Sequence, residues 1–240
     1  MICRIADFNI EFKNLSQFAS KRFLPFKSDS SPMVSFSVSK KEIATHKKLI
    51  SNIHNENVLE FTLFQNKVSE WLPLNNTIYL HAALIDIEGT GVAFAALSGT
   101  GKTTHILLWQ KLLGDKLIIV NGDRPFIRFF ENEKYPYGYG TPWCGKENFG
   151  TTGRVPLKHL CFIERGEKNT CIPLKPSEVL EDILKQAYIP RNDPQAAFNA
   201  VTLINKMLNT CNLWKITCNM DLEAAEVAYN TIFKEQNNEA

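Results

Sequence analysis

Continuous apolar runs and helical stripes alternate along this chain, and the alternation sharpens after about residue 56. TIYLHAALIDI (77–87) and VAFAAL (92–97) are apolar and β-branched and are joined by EGTG, which predicts a hairpin of buried strands. From Thr103 to Leu113 the pattern changes. Ile106, Leu107, Leu108, Trp109, Leu112 and Leu113 cover most of a helical circumference, as in a helix packed on a sheet, and Gly114 ends it. KLIIV (116–120) predicts a short strand ending at NGD, PFIRFF (125–130) another, and LKHLCFI (157–163) and LWKITC (213–218) two more. Helices are predicted over PSEVLEDILKQAY (176–188), over 194–208, and after Asp221.

The start of the chain is less legible. KSDSSPMVSFSVSKK (27–41) reads as a loop followed by a polar edge strand, and Phe61, Phe64, Val68 and Trp71 are spaced as on a helix. The expected division is an N-terminal β-containing appendage over 1–56 and a larger domain over 57–240. Alternating strands and helices in that larger part predict an α/β core with layered helices.

Composition narrows the function classes. With 240 residues, 44% of them hydrophobic, the chain can bury a full core. Lys plus Arg is 27 against 25 Asp plus Glu, and no basic stripe could track nucleic-acid phosphates, so nucleic acid is not expected as a partner. Every apolar run is broken by charges short of the ~20 residues of a membrane span, and MICRIADFNIEF has no basic leader; a cytoplasmic protein with no membrane partner is the expectation. The six cysteines show no CxxC pair and no zinc-like spacing, and only Cys144 falls where a site is suspected.

The chemistry centres on AALSGTGKTTHILLW (95–109). Between a buried strand and a helix, glycines at 99 and 101 let the backbone wrap so that its amides form an anion cradle. The helix N-terminus adds partial positive charge, Lys102, expected at a solvent-facing loop tip, can reach outer phosphates, and the Thr103 hydroxyl is placed for Mg²⁺. The usual spacing G-x-x-x-x-G-K-[ST] has Ala96 at its first position here, a departure of one methyl group. The nucleotide-contacting set is therefore Ser98, Gly99, Thr100, Gly101, Lys102, Thr103 and Thr104, with ATP and Mg²⁺ as the expected ligands. One strand later, LIIVNGD delivers Asp123 at a strand end, where phosphoryl-transfer sites hold the metal or its water; Thr103 and Asp123 are the candidate metal ligands.

From His81 to Arg128, HAALIDIEGTGVAFAALSGTGKTTHILLW and NGDRPFIR resemble the superfamily of HPr kinases and ATP-dependent phosphoenolpyruvate carboxykinases, and in particular the small HPr-kinase-related proteins that accompany peptide-tailoring enzymes. Gly140 to Lys146 (GTPWCGK) and VPLKHLCFIERG (155–166) extend the likeness to about two thirds of the chain. The resemblance implies a P-loop core with a mixed sheet and flanking helices, and an ATP-dependent kinase acting on a hydroxyl, a Ser of a peptide or small protein. A small-molecule hydroxyl and a nucleotide-gated binding protein without transfer are the alternatives; a carboxykinase is disfavoured by chain length. A homo-oligomer is compatible with this reading.

One departure bears on mechanism. Relatives commonly carry two adjacent Asp where this chain has Gly122-Asp123, and in HPr kinases the pair divides metal binding from proton removal. Asp123 then serves both roles through a water, or His81, placed where HPr kinases have an active-site histidine, assists, or a loose transition state needs little base. Lys146 and Arg154 lie in a Gly-rich span, 138–153 and its edge, expected to be mobile and to close over transferring phosphates. They complete the catalytic candidates with Asp123, His81 and Lys102. His105 is expected to pack or cap near the loop, and His46, His54 and His159 to be surface or partly buried residues.

Overall fold

A computed structural model describes residues 1–49, 55–96 and 99–234. Its strands are β1 (Ile2–Ile5), β2 (Phe8–Lys13), β3 (Val34–Ser37), β4 (Thr77–Tyr79), β5 (Ala82–Ile87), β6 (Thr90–Ala95), β7 (Leu117–Asn121), β8 (Phe126–Arg128), β9 (Tyr137–Tyr139), β10 (Arg154–Arg165), β11 (Thr170–Pro173) and β12 (Asn212–Cys218). The helices are α1 (Gln17–Phe23), α2 (Lys40–Leu49), α3 (Glu56–Trp71), α4 (Lys102–Leu113), α5 (Pro176–Gln186), α6 (Pro194–Thr210) and α7 (Glu223–Lys234).

The larger sheet has nine strands and is mixed, with flanking helices. Its spine is β10. The C-terminal stretch of that strand runs parallel to both β6 and β12, while its first residues pair antiparallel with β9, which leads through β8 to β4. Hairpin β5–β6 places β5 antiparallel beside β6, and β7 closes that edge.

Burial on both faces explains the unbroken apolar runs. Alternate residues of the central strands point opposite ways. Leu84, Ala93, Ala95, Leu160 and Phe162 pack with Val179, Ile183, Ala200, Ile204 and Met207 of α5 and α6. Ala83, Ile85, Val92, Phe94, Cys161 and Ile163 pack with Ile106 and Trp109 of α4 and Ala224, Ala225, Ala228 and Ile232 of α7.

The first residues form a separate three-stranded sheet, β1–β2–β3, with β3 at its edge. Its Phe8, Ile10 and Phe12 share a core with Phe64 and Val68 of α3 and with Trp143. Trp143 lies within 5.5–6.5 Å, centroid to centroid, of Phe12, Phe23, Phe61 and Phe126.

Two expectations need correction. TIYLHAALIDI is two strands, broken at Leu80-His81: β4 pairs with β8, whereas β5 pairs with β6 and β7. The chain after α5 fills the break, since the His81 amide donates to the Gln186 carbonyl at 2.7 Å and the Tyr188 amide to that of Tyr79 at 3.2 Å. Nor is 138–153 a loose span. It contributes β9, and Thr141, Trp143 and Cys144 are buried because the indole anchors the segment in the aromatic core.

Candidate active site

The break between β4 and β5 leaves His81 free of the ladder beside the end of β7, where Asp123 follows Asn121 and Gly122. His81 Nε2 lies 3.2 Å from Asp123 Oδ1 and 3.2 Å from Lys102 Nζ. A neutral imidazole nitrogen serves one partner at a time: protonated, Nε2 donates to Asp123; unprotonated, it accepts from Lys102. Three groups from three separate segments thus meet at one end of the sheet.

Asn121 builds the turn that presents Asp123. Its side-chain Oδ1 accepts from the amides of Asp123 (2.9 Å) and Arg124 (2.6 Å), an Asx-type turn, while its Nδ2 donates to Thr141 Oγ1 at 3.0 Å. The Thr141 hydroxyl donates in turn to the Arg124 carbonyl at 2.8 Å. GTPW is thereby stitched to NGD.

Arg124, which the sequence did not single out, donates from Nε to Asp123 Oδ2 at 2.9 Å and from its guanidinium to Gln65 of α3. Burial by itself would raise the Asp123 pKa, but the hydrogen bond from His81 and the charge of Arg124 outweigh it and hold the carboxyl below its ordinary value. Asp123 is an anion at neutral pH. Tyr79 adjoins this network through a hydrogen bond with Gln65, and burial raises its hydroxyl pKa.

Lys102 departs from expectation. Rather than standing at a solvent-facing tip, it is 8% exposed and folds back to donate to the Ala96 carbonyl at 3.0 Å. Burial lowers its pKa, partly countered by Asp123. Gly99 and Gly101 do adopt the left-handed backbone expected of them, with φ of +80° and +116°, and nothing lies within 4 Å of where a Cβ would be. Gly101 is the N-cap of α4 and supplies no side-chain cap to the first turn, which holds Thr103 and Thr104. Thr100 follows the exposed Gly99 and is itself half-buried, and Ser98 lies outside the described residues.

Lys146 and Arg154 do not join the cluster. Lys146 is exposed. Arg154, at the start of β10, is committed to the β1–β2 turn and its neighbour, donating to Asp7 at 2.9 Å and the Tyr139 hydroxyl at 2.8 Å. A different cation from the N-terminal part reaches GTPWCGK: Arg22 donates to the Gly145 carbonyl at 3.5 Å and to the Asn148 side chain.

His105 packs on Phe94 and accepts from the Trp109 indole at 2.9 Å; burial pushes its pKa down to about 4. His159, expected near the surface, is fully buried in β10, accepts from the Trp214 indole at 3.1 Å and is likewise pushed down to about 4. Both are core histidines. His46 lies on α2, and His54 lies outside the described residues. All six cysteines are buried thiols that form no disulfide, Cys144 among them.

Among the described residues no helix is long and apolar enough to cross a membrane, and no group of three or more His, Cys, Asp or Glu could hold a metal ion. No family model and no curated protein matches the chain. A solved structure described as the Hpr(Ser) kinase/phosphatase from Coxiella burnetii is similar to 67% of this chain and 94% of that chain, at 15% identity and a TM-score of 0.37, a loose likeness of fold on which no residue's role rests.

Proposed function

We propose that the chain is an ATP-dependent kinase that transfers the γ-phosphoryl group to a hydroxyl, a Ser of a peptide or small protein, in the manner of the HPr-kinase superfamily its motifs resemble. The observation that carries this is the meeting of Lys102, His81 and Asp123 within 3.2 Å contacts beside a glycine turn that opens a helix. In this reading residues 57–240 are the P-loop kinase-like part, 1–56 an appendage that abuts GTPWCGK, and the protein works in the cytoplasm.

The residues suit a nucleotide-borne Mg²⁺. One carboxylate kept ionised and one first-turn hydroxyl, Asp123 and Thr103, are the few protein ligands such an ion takes, the remainder being phosphate and water. When bound, the ion would neutralise charge on the transferring phosphoryl group. Lys102 would leave the Ala96 carbonyl for the outer phosphates, which also frees His81 Nε2 for Asp123. Asp123, oriented by His81 and Arg124, would accept the hydroxyl proton directly or through a water.

A nucleotide-gated binder without transfer is the second reading, and Gly122 favours it. Its φ is not in the left-handed region, yet a Cβ there would come within 3.2 Å of the Cys144 carbonyl oxygen and the Phe149 Cβ, so the chain leaves little room for a second carboxylate. Incubation with γ-labelled MgATP, Ser-containing peptides and small hydroxyl compounds separates the cases. Label on Ser supports the proposal, label on a small hydroxyl reassigns the acceptor, and binding without transfer selects the second reading.

A further inference from the structure

We infer that Arg165 is a positioning residue that clamps the candidate phosphate loop from outside. Its guanidinium donates from Nη2 to the Gly99 carbonyl at 2.5 Å and from Nε to the Thr100 carbonyl at 3.1 Å. This inference rests on the phosphate-loop reading and deepens it.

The sheet register explains why this residue reaches the loop. β10 runs parallel to β6, with Phe162 opposite Ala95, so Arg165 stands three residues beyond the last paired residue of β6, roughly 10 Å further along. That is the level of the turn which follows β6. The backbone of Arg165 is fixed on its other side by the ladder to β12, where it pairs with Cys218.

An anion cradle needs amides turned inward, which requires the carbonyls of the same peptide units to face out and find donors. A planar fork bridging two successive carbonyls meets both demands; a lysine would present a single nitrogen. Among the described residues Arg165 makes no ion pair, so its charge stays uncompensated next to the loop. Glu164, its chain neighbour, is engaged by Lys215 at 2.9 Å and Thr217 at 2.8 Å.

The test is the Kd of a fluorescent ADP analogue with Mg²⁺ for wild type, Arg165→Ala and Arg165→Lys, with hydrogen exchange of amides 101–104 measured without nucleotide. Because Arg165 is exposed, both variants are expected to melt as wild type does. The clamp predicts that Arg165→Ala raises Kd about tenfold, the scale of one lost charge-assisted hydrogen bond, and speeds exchange in the loop, with Arg165→Lys between. Equal Kd and equal exchange in Arg165→Ala and wild type overturn the clamp alone. A wild type that does not bind overturns the phosphate-loop reading, while faster loop exchange in Arg165→Ala would still establish the clamp.

Discussion

His81 and Asp123 face each other across 3.2 Å, Nε2 to Oδ1, although 42 positions separate them in the chain. The contact exists because the strand predicted through His81 stops at Tyr79 and restarts at Ala82, releasing the ring from the sheet. His81→Ala is expected to lower phosphoryl transfer by roughly 10²-fold and to change its pH profile, as loss of a proton-positioning group does. A variant that transfers phosphate at the wild-type rate across pH would reduce His81 to a structural residue.

Asp123→Asn keeps the shape of the side chain and removes its charge. Transfer is expected to vanish with both Mg²⁺ and Mn²⁺. Acid stability should change too. The folded pKa lies below the ordinary 3.8, so the carboxylate stabilises the fold above that value and loses its contribution as pH falls through the depressed one. Denaturant titrations of the two proteins below about pH 4 should therefore converge; a constant gap would mean that the Asp123 carboxyl is not held below its ordinary pKa in the fold.

The buried histidines predict a separate effect. Folded pKa values near 4 against an ordinary 6.5 mean that the unfolded chain binds more protons between those limits, so stability falls as pH drops from about 6.5 to about 4. Each contributes a loss on the order of 2 kcal/mol by pH 5. His105→Gln should remove about half of that slope in urea unfolding, and an unchanged slope would show that His105 titrates normally in the fold.

Much of this was legible in the sequence, and the exceptions have physical causes. The hairpin before the glycine turn, the helix after it and the strand delivering Asp123 all carry strong local patterns, and the two-sided core makes those patterns continuous. The burial of Lys102 is not legible because its local motif says nothing of the Ala96 carbonyl to which its ammonium donates. Gln65 is not legible because its partner, Arg124, lies in a distant segment, and Arg124 because only the folded turn brings its guanidinium onto the neighbouring Asp123 carboxylate, though the Asn121-Gly122-Asp123 order is a readable Asx-turn signal. The glycines of 138–153 by themselves predict mobility, whereas the buried Trp143 within the span outweighs them. Residues 1–13 form a hairpin whose turn residues, Ala6 and Asp7, have φ of +50° and +62°, a conformation their side chains do not advertise.

Trp143 ties GTPWCGK to the N-terminal sheet. Trp143→Ala is expected to cost about 3–5 kcal/mol, as removal of a buried aromatic side chain does. Chemical denaturation measures it directly, and a loss under about 1 kcal/mol would mean that the two parts are not packed through this ring.

Gly122→Ala tests the crowding beside Asp123. With a Cβ 3.2 Å from both the Cys144 carbonyl oxygen and the Phe149 Cβ, thermal stability should drop by the equivalent of about 1 kcal/mol. An alanine variant as stable as wild type would show that the absent second Asp is not a matter of space.

In the proposed kinase the turn around Lys102 holds nucleotide phosphates. Calorimetric titration of MgATP into wild type and Lys102→Met, which preserves the buried stem, tests it most directly. Saturable binding to wild type is expected, with a loss of at least about tenfold in the folded variant, the worth of one charged contact. Equal affinity in the two proteins, or no binding to wild type, would contradict it.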